Sequence, residues 1–311
     1  MQKEIKMKET IGRFAPSPSG RMHLGNIYAA LISWLSARKN GGLWRLRIED
    51  LDRQRCKPEY TQQLLDDLQW LGLTWDGEVM FQSQRDNVYQ SAYERLYKQG
   101  LVYDCYCRRA DLHAASAPHA TDGTVIYSGH CRNLTQNERQ FLSQTRLPAK
   151  RIATDNALIS FVDGQYGLQQ CRLASDCGDF IIQRADGNFA YQLAVVVDDA
   201  AMGITEVVRG RDLLSSTHQQ LFLYKKLDFC PPQFFHIPLL LDAEGRRLSK
   251  RNQDMDMGIL RQRFVPQELI GRIMHSCGFI ERSFAITLEE ALSIFNWKQM
   301  PKVLESIAIY R

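Results

Sequence analysis

The stretch that most constrains this chain is Pro16-Ser17-Pro18-Ser19-Gly20-Arg21-Met22-His23-Leu24-Gly25-Asn26, set between two segments of different period. Ahead of it, Ile11 and Phe14 belong to a short apolar lead with strand character; behind it, Ile27, Leu31, Trp34 and Leu35 recur at helical spacing. His23 and Gly25 therefore fall where a strand hands over to a helix N-terminus. Backbone N–H groups there have no intrahelical acceptor, and with the helix dipole they favour an anion such as phosphate. Gly25 removes a side chain from a place of close approach, and an imidazole can hydrogen-bond oxygens whose charge is growing. Far downstream, Arg246-Arg247-Leu248-Ser249-Lys250-Arg251 supplies the complement: Lys250 is a compact cation in a loop able to close over outer phosphates.

The alternation continues beyond the first helix. A strand over 11–15, a helix over 24–39 stopped by Asn40-Gly41-Gly42 and a strand over 43–49 have the rhythm of a parallel α/β sheet. Helices are expected over 58–71, opening at Pro58, and over 87–99, ahead of Gly100. Residues 101–188 hold Gly-containing turns, scattered cysteines and few long periodic runs, which predicts an insertion of mixed structure. The α/β rhythm resumes with the apolar run Leu193–Val197 and a helix around Ser215–Lys226, and helices recur at 266–276 and 287–295. The chain divides accordingly into 8–100, 101–188, 189–255 and 256–311.

With 311 residues, 44% of them hydrophobic, the chain can bury a substantial core. No apolar run approaches the roughly 20 residues that span a bilayer, and Met1-Gln2-Lys3-Glu4-Ile5-Lys6 lacks the apolar stretch of a secretory signal. A cytoplasmic, non-membrane protein is expected. Cysteines at 56, 105, 107, 131, 171, 177, 230 and 277 form no disulfide framework. A formal charge of +4 is a weak pointer to an RNA partner.

Arg45, Arg47 and Glu49 alternate with Trp44, Leu46 and Ile48, so a strand puts the three charges on one face. Parallel sheets are ordinarily apolar on both faces, so either the strand's end lines a polar cleft or the strand is an edge facing water. Cys105-Tyr106-Cys107, followed by Tyr127 and Cys131, is a metal candidate: two thiolates one residue apart with later donors can wrap tetrahedral Zn²⁺, the alternative being reduced buried thiols. Cys171 and Cys177 lack a second half and read as packing residues, and His113, His119, His218, His236 and His275 as structural or exposed.

Taken in order, the two anion-handling stretches resemble the His-Ile-Gly-His and Lys-Met-Ser-Lys-Ser signatures of class I aminoacyl-tRNA synthetases, with Asn26 for the final His and Leu248 for Met. Pro16–Gly20, Leu46-Arg47-Ile48-Glu49-Asp50-Leu51-Asp52-Arg53, Val196-Val197-Asp198-Asp199 and Val208-Arg209-Gly210 resemble the glutamyl branch, over roughly residues 12–300. The resemblance implies an α/β fold: a Rossmann-like parallel sheet, an inserted zinc-containing acceptor-type subdomain and a small C-terminal helical part. It implies ATP with Mg²⁺, and attack of the glutamate α-carboxylate on the α-phosphate, with His23 and Lys250 catalytic and Gly25, Asn26 and Ser249 around the nucleotide. Glu49 is implied to hold the α-ammonium, with Arg47 an internal partner; Arg13, Ala15, Ser17, Tyr191 and Arg209 complete the glutamate contacts. Two carboxylates and one ammonium call for two guanidinium forks and a carboxylate. Glutamine-specific relatives usually have Pro-Glu-Pro-Asn-Gly where this chain has Pro-Ser-Pro-Ser-Gly. The resemblance also supports Zn²⁺ on Cys105, Cys107, Tyr127 and Cys131, the fourth ligand remaining open between Tyr127 and the chemically more usual His130.

Full-length glutamyl-tRNA synthetases continue into a helical anticodon-reading module, whereas this sequence stops at Arg311, shortly after Trp297-Lys298. In this it resembles the short glutamyl-queuosine tRNA(Asp) branch. That implies activation of glutamate without tRNA, then transfer to the cyclopentene-diol of queuosine in the tRNA(Asp) anticodon, by a chain expected to be a monomer. The competing readings are a compact glutamyl-tRNA synthetase loading a 3′ end and a non-catalytic glutamate- or RNA-binding module. His23, Lys250, Glu49, Arg13 and Arg209 together argue against the last.

Overall fold

The structure, a computed structural model, describes residues 9–108, 126–240 and 256–303. Ser249 and Lys250 lie outside the described residues, as do His113 and His119.

β1 (Ile11–Phe14), β2 (Leu43–Ile48) and β3 (Met80–Phe81) form a parallel sheet in that order, with α1 (Leu24–Lys39) connecting the first two strands and α2 (Pro58–Trp70) the second and third. Local chemistry sets these limits. Pro58 opens α2 in the first turn, where its missing N–H leaves no bond unmade, and Gly72, at φ +76°, turns the chain away just beyond its end. β2 is the middle strand of the three, so the edge-strand reading of its charged face does not hold.

α1 is not the one-sided helix that its spacing predicts. Leu24, Ile27, Tyr28, Ile32 and Leu35 are all buried, while Trp34 is only partly so and donates its indole N–H to the Thr74 carbonyl. The helix lies in the larger apolar cluster with residues of α8 (Met257–Arg263), α9 (Pro266–Ser276) and α10 (Leu288–Ile294) on one side and of the sheet on the other. A helix covered on two faces needs apolar residues on both.

α3 (Asp86–Lys98) leads into the insertion. There β4 (Val102–Cys105), β5 (Ala149–Ile152) and β8 (Phe180–Gln183) form an antiparallel sheet, and β6 (Leu158–Asp163) and β7 (Gly167–Arg172) a separate hairpin. α4 (Gln136–Ser143) and the single-turn α5 (Leu173–Asp176) complete it. The hairpin turn lies against the main sheet: the Gly164 N–H donates to the Phe234 carbonyl at 2.8 Å, and a Cβ on Gly164 would sit 2.0 Å from the Phe235 ring.

α6 (Tyr191–Ala201), β9 (Glu206–Gly210), α7 (Ser216–Lys226) and β10 (Gln233–Ile237) follow. The apolar run Leu193–Val197, where alternation would put a strand, is the interior of α6. All five residues are buried in the second apolar cluster, and a helix buried all round has no polar face to reveal its period. β9 and β10 are parallel to each other, and Thr205 docks this pair on β1: its N–H donates to the Ile11 carbonyl and its Oγ1 accepts from the Ile11 N–H. Among the described residues, no helix is long and apolar enough to cross a membrane.

Candidate active site

A cavity of about 470 Å³ opens beyond the carboxyl ends of β1, β2, β9 and β10, where ligands bind in open parallel sheets. Arg13, Ala15, Ser17, His23, Gly25, Asn26, Glu49, Tyr191 and Arg209 line it, so every site residue expected from the sequence that falls within the described residues, apart from the cysteine set, shares one pocket.

His23 is the N-cap of α1. Its Nδ1 accepts from the Gly25 N–H at 3.0 Å, and its own N–H donates to Asn26 Oδ1 at 3.1 Å. With Nδ1 accepting, the proton of the neutral imidazole sits on Nε2 and makes that atom a donor. A Cβ on Gly25 would lie 2.9 Å from His23 Cε1 and 3.0 Å from Nδ1, so the glycine makes room for the imidazole itself. Asn26, expected beside the nucleotide, has its carbonyl oxygen committed to this cap.

Across the pocket lies a buried charge cluster. Arg47, wholly buried, donates to Asp199 Oδ1 at 2.6 Å and to Glu49 Oε1 at 3.1 Å. Arg13 Nε lies 3.4 Å from the same Asp199 oxygen, and its Nη1 is 3.4 Å from the Val208 carbonyl. Burial pushes the Asp199 carboxyl up, but Arg47 and Arg13 outweigh it and hold it below the usual range. At Glu49 burial wins, and its carboxyl lies above the usual range despite Arg47 and Arg13. Burial also raises the Tyr191 phenol, keeping it a neutral donor.

Arg209 is held differently. Its Nε donates to His236 Nε2 at 3.1 Å and its Nη2 to Thr217 Oγ1 at 2.8 Å. Among the described residues no carboxylate pairs with it. The pocket thus holds one guanidinium anchored by a carboxylate, one anchored by neutral groups, and a carboxylate, Glu49, whose charge burial disfavours. This set is complementary to a small molecule with two carboxylates and an ammonium. Arg45 takes no part: it donates to the Met202 carbonyl at 2.7 Å and ties β2 to the end of α6, so of the three charges predicted to share a face only Glu49 reaches the cavity.

The described residues on either side of 241–255 lie at this site. Leu240 lines the cavity, and Asp256 pairs with His23 in an isolated bridge while capping α8 through the Gly258 N–H at 2.6 Å.

In the insertion, the sulfurs of Cys105, Cys107 and Cys131 lie within 4.8 Å of one another. The Tyr127 oxygen is 3.5 Å from Cys105 Sγ and 3.7 Å from Cys107 Sγ, and it accepts from the Cys131 N–H at 2.8 Å. His130 is exposed and stands outside this set. Three sulfurs and an oxygen converging at this range suit one tetrahedral metal ion. Burial pushes the Cys107 thiol up to about 12. At Cys105 burial acts the same way, but the Tyr127 hydroxyl and the Arg151 guanidinium outweigh it and lower the thiol. Cys171 and Cys177, read as packing residues, lie with their sulfurs 3.4 Å apart.

Residues 9–309 match the family described as tRNA synthetases class I (E and Q), catalytic domain. A glutamyl-Q tRNA(Asp) synthetase of Nitratidesulfovibrio vulgaris is 48% identical over 266 residues, 82% of each chain. Its namesake in Symbiobacterium thermophilum is 43% identical over 303 residues, 94% of each chain. The chain belongs to the glutamyl-Q tRNA(Asp) synthetase family. A glutamate tRNA ligase from Elizabethkingia meningosepticum CCUG26117, solved in complex with its amino acid, is similar in structure with a TM-score of 0.80 at 26% identity, over 97% of this chain and 67% of that one. The fold is accordingly the Rossmann-like class I α/β fold.

Sequence reasoning missed the supports beneath these family residues. Asp199 anchors both Arg13 and Arg47, and Asp198 accepts from Arg85 Nε at 2.6 Å, Tyr89 at 2.7 Å and Gln82 at 2.8 Å. Two acids directly after the apolar run Leu193–Val197 were the available signal, since carboxylates on a buried helix must find cations. His236 and Thr217, which hold Arg209, carried none.

Proposed function

We infer that this chain is an ATP-dependent ligase that activates glutamate without tRNA and transfers it to queuosine in the anticodon of tRNA(Asp). The observation that carries the first half is the pocket's asymmetric charge set. Arg13 and Arg209 would each fork one glutamate carboxylate, and Glu49 would take the ammonium, whose charge offsets the burial that now disfavours the ionised carboxyl. Glutamine, with a neutral amide in place of the second carboxylate, would leave a buried guanidinium uncompensated.

A glutamate α-carboxylate oxygen attacks the α-phosphorus of ATP, and the bond to the β-phosphate breaks, giving glutamyl-adenylate and pyrophosphate. His23 Nε2–H at the helix N-terminus meets the developing charge on the α-phosphate, and Lys250 meets that on the departing pyrophosphate. Asp256 at His23 and Leu240 on the cavity wall, the described residues that flank 241–255, support this role for Lys250. Gly25, Asn26 and Ser249 complete the nucleotide's surroundings, and Mg²⁺ accompanies the nucleotide. A hydroxyl of the queuosine diol then attacks the glutamyl carbonyl and AMP leaves. A second cavity of about 470 Å³ shares Ser17, Ser19, Glu49 and Tyr191 with the first and adds Arg55, Arg184 and Asn188, which supports room for an acceptor.

Cys105, Cys107, Tyr127 and Cys131 would hold Zn²⁺; a site closed by four protein ligands supplies folding energy rather than a reactive water. The same reading assigns 8–100 and 189–255 to the two catalytic halves, 101–188 to the zinc subdomain and 256–311 to the helical part, in a cytoplasmic protein acting as a monomer. The first half is tested by pyrophosphate exchange into ATP in the absence of RNA. Exchange with glutamate and little with glutamine is expected; equal exchange with both, or none with glutamate, refutes it.

A further inference from the structure

Beneath Arg209 lies a chain of buried groups that reaches into the insertion. The hairpin turn after β6 brings Asp163 against β10, where its Oδ2 is 2.6 Å from His236 Nδ1. His236 Nε2 in turn faces Arg209 Nε at 3.1 Å and Thr217 Oγ1 at 3.3 Å. Asp163 and His236 are at most 1% exposed, Arg209 5%.

The donors fix the protonation pattern. Arg209 Nε–H can only donate, so His236 Nε2 must be bare and its Nδ1 must carry the proton. Asp163 in turn receives only donors: the backbone N–H groups of Gln165 and Tyr166 on Oδ1, and the His236 N–H and Nδ1–H on Oδ2. It is therefore the ionised acceptor that selects this tautomer, the way a carboxylate orients a histidine at many working sites. Its negative charge stands one imidazole away from Arg209. At that distance it does not pair with the guanidinium, which leaves the fork for the substrate.

We propose that Asp163 and His236 are positioning residues for glutamate selection, holding Arg209 in the register that receives a substrate carboxylate. The proposal rests on the reading of Arg209 as a glutamate contact. It makes the insertion's β6–β7 hairpin a part of the amino-acid site.

Protonation of His236 would convert Nε2 to a donor facing the Arg209 donor and dislodge it. Burial, ahead of the neighbouring charges, lowers the imidazole below its ordinary value, so this occurs only on the acid side. The charged groups facing His236 are Asp163 from β6, Arg209 from β9 and Arg13 from β1; Thr217 from α7 is neutral.

The test compares His236→Leu, which has no acceptor, with His236→Gln, whose amide can accept from Arg209 and donate to Asp163. Glutamate-dependent pyrophosphate exchange is followed from pH 5 to 8, with thermal melts to establish folding. His236→Leu should raise the KM for glutamate on the order of 10- to 100-fold, with kcat and the KM for ATP changed much less, and exchange with glutamine should gain relative to glutamate. His236→Gln should restore most of the KM and lose part of the wild-type rise in KM on the acid side; Glu49 titrates in both proteins and cancels in the comparison. A folded His236→Leu with wild-type KM overturns the proposal. If His236→Leu does not fold, His236→Gln decides alone: an acid-side profile identical to wild type overturns it, and a flattened one supports it. Arg209→Ala separates the two claims. If its KM for glutamate is unchanged, the reading of the pocket itself fails; if it rises while both His236 variants behave as wild type, only the positioning role fails.

Discussion

Asp199→Asn is the perturbation with the most calculable result. The substitution keeps the shape and removes one negative charge from the buried cluster of Arg13, Arg47, Glu49 and Asp199, which Asp198 extends to Arg85. The asparagine oxygen can still accept one hydrogen bond, but the 2.6 Å contact to Arg47 loses its ionic component and Arg13 loses its only carboxylate partner among the described residues. Arg47 keeps Glu49 at 3.1 Å and Asp198 at 3.9 Å, so the cation left uncompensated is Arg13, and breaking one partner out of a buried pair costs about 3–5 kcal/mol. The melting temperature should then fall on the order of 10 °C. The pH dependence has a definite sign. Asp199 has a folded-state pKa below its unfolded value of about 3.9, so its contribution is full above that value and is lost as pH falls through the folded-state pKa. The gap between wild type and variant should therefore be constant from pH 6 to 8 and narrow below about pH 4. The KM for glutamate should also rise, since Arg13 is left without its anchor. Urea denaturation at pH 7.5 and pH 3.5 checks both parts. A destabilisation below about 1 kcal/mol at pH 7.5, or a gap that widens in acid, would refute the reasoning.

Glu49→Gln should raise the KM for glutamate about 10- to 100-fold with the KM for ATP unchanged, as pyrophosphate exchange at varied substrate would measure. Because burial raises the Glu49 carboxyl, wild-type affinity for glutamate should weaken as pH falls towards it, and this part of the pH dependence should be absent from the variant. His23→Ala should lower kcat on the order of 10²- to 10³-fold, and Gly25→Ala should act in the same direction, because the new methyl, 2.9 Å from Cε1, drives the imidazole from its cap. Elemental analysis of protein prepared without chelator should find one zinc per chain, lost with lower melting temperature in Cys105→Ser and Cys107→Ser. Tyr127→Phe should weaken retention and His130→Ala should not; the reverse order would reassign the fourth ligand.

Much of the architecture was legible because its signals are local. The Pro58 start and the Gly72 and Gly100 stops each act within one turn, and the expected limits of α2 and α3 agree with the observed ones to within a residue or so. α6 deceived because it is covered on more than one side, which erases the periodic contrast that separates a surface helix from a strand; α1, covered likewise, was expected over 24–39 and is found there, and only its one-sidedness was misjudged. His23 and Gly25 were legible from the strand-to-helix handover, but Arg13, Tyr191 and Arg209 only through resemblance, since no pattern within the sequence links Arg13 to Arg209. What supports them was not legible at all. Asp163 reaches His236 across 73 positions, and Asp199 reaches Arg13 across 186, so only the folded chain reveals these pairings.

The central claim is that activated glutamate goes to queuosine, and radiolabelled glutamate offered with ATP to two preparations of tRNA(Asp) tests it most directly. One preparation carries queuosine but lacks the 3′-terminal adenosine; the other has an intact 3′ end but comes from cells unable to make queuosine. Label should enter the first and not the second, and should be recovered on the modified nucleoside after nuclease digestion. Label in the second preparation, or none in the first, would contradict the account, and label in the second alone would identify the chain as a compact enzyme that charges the 3′ end.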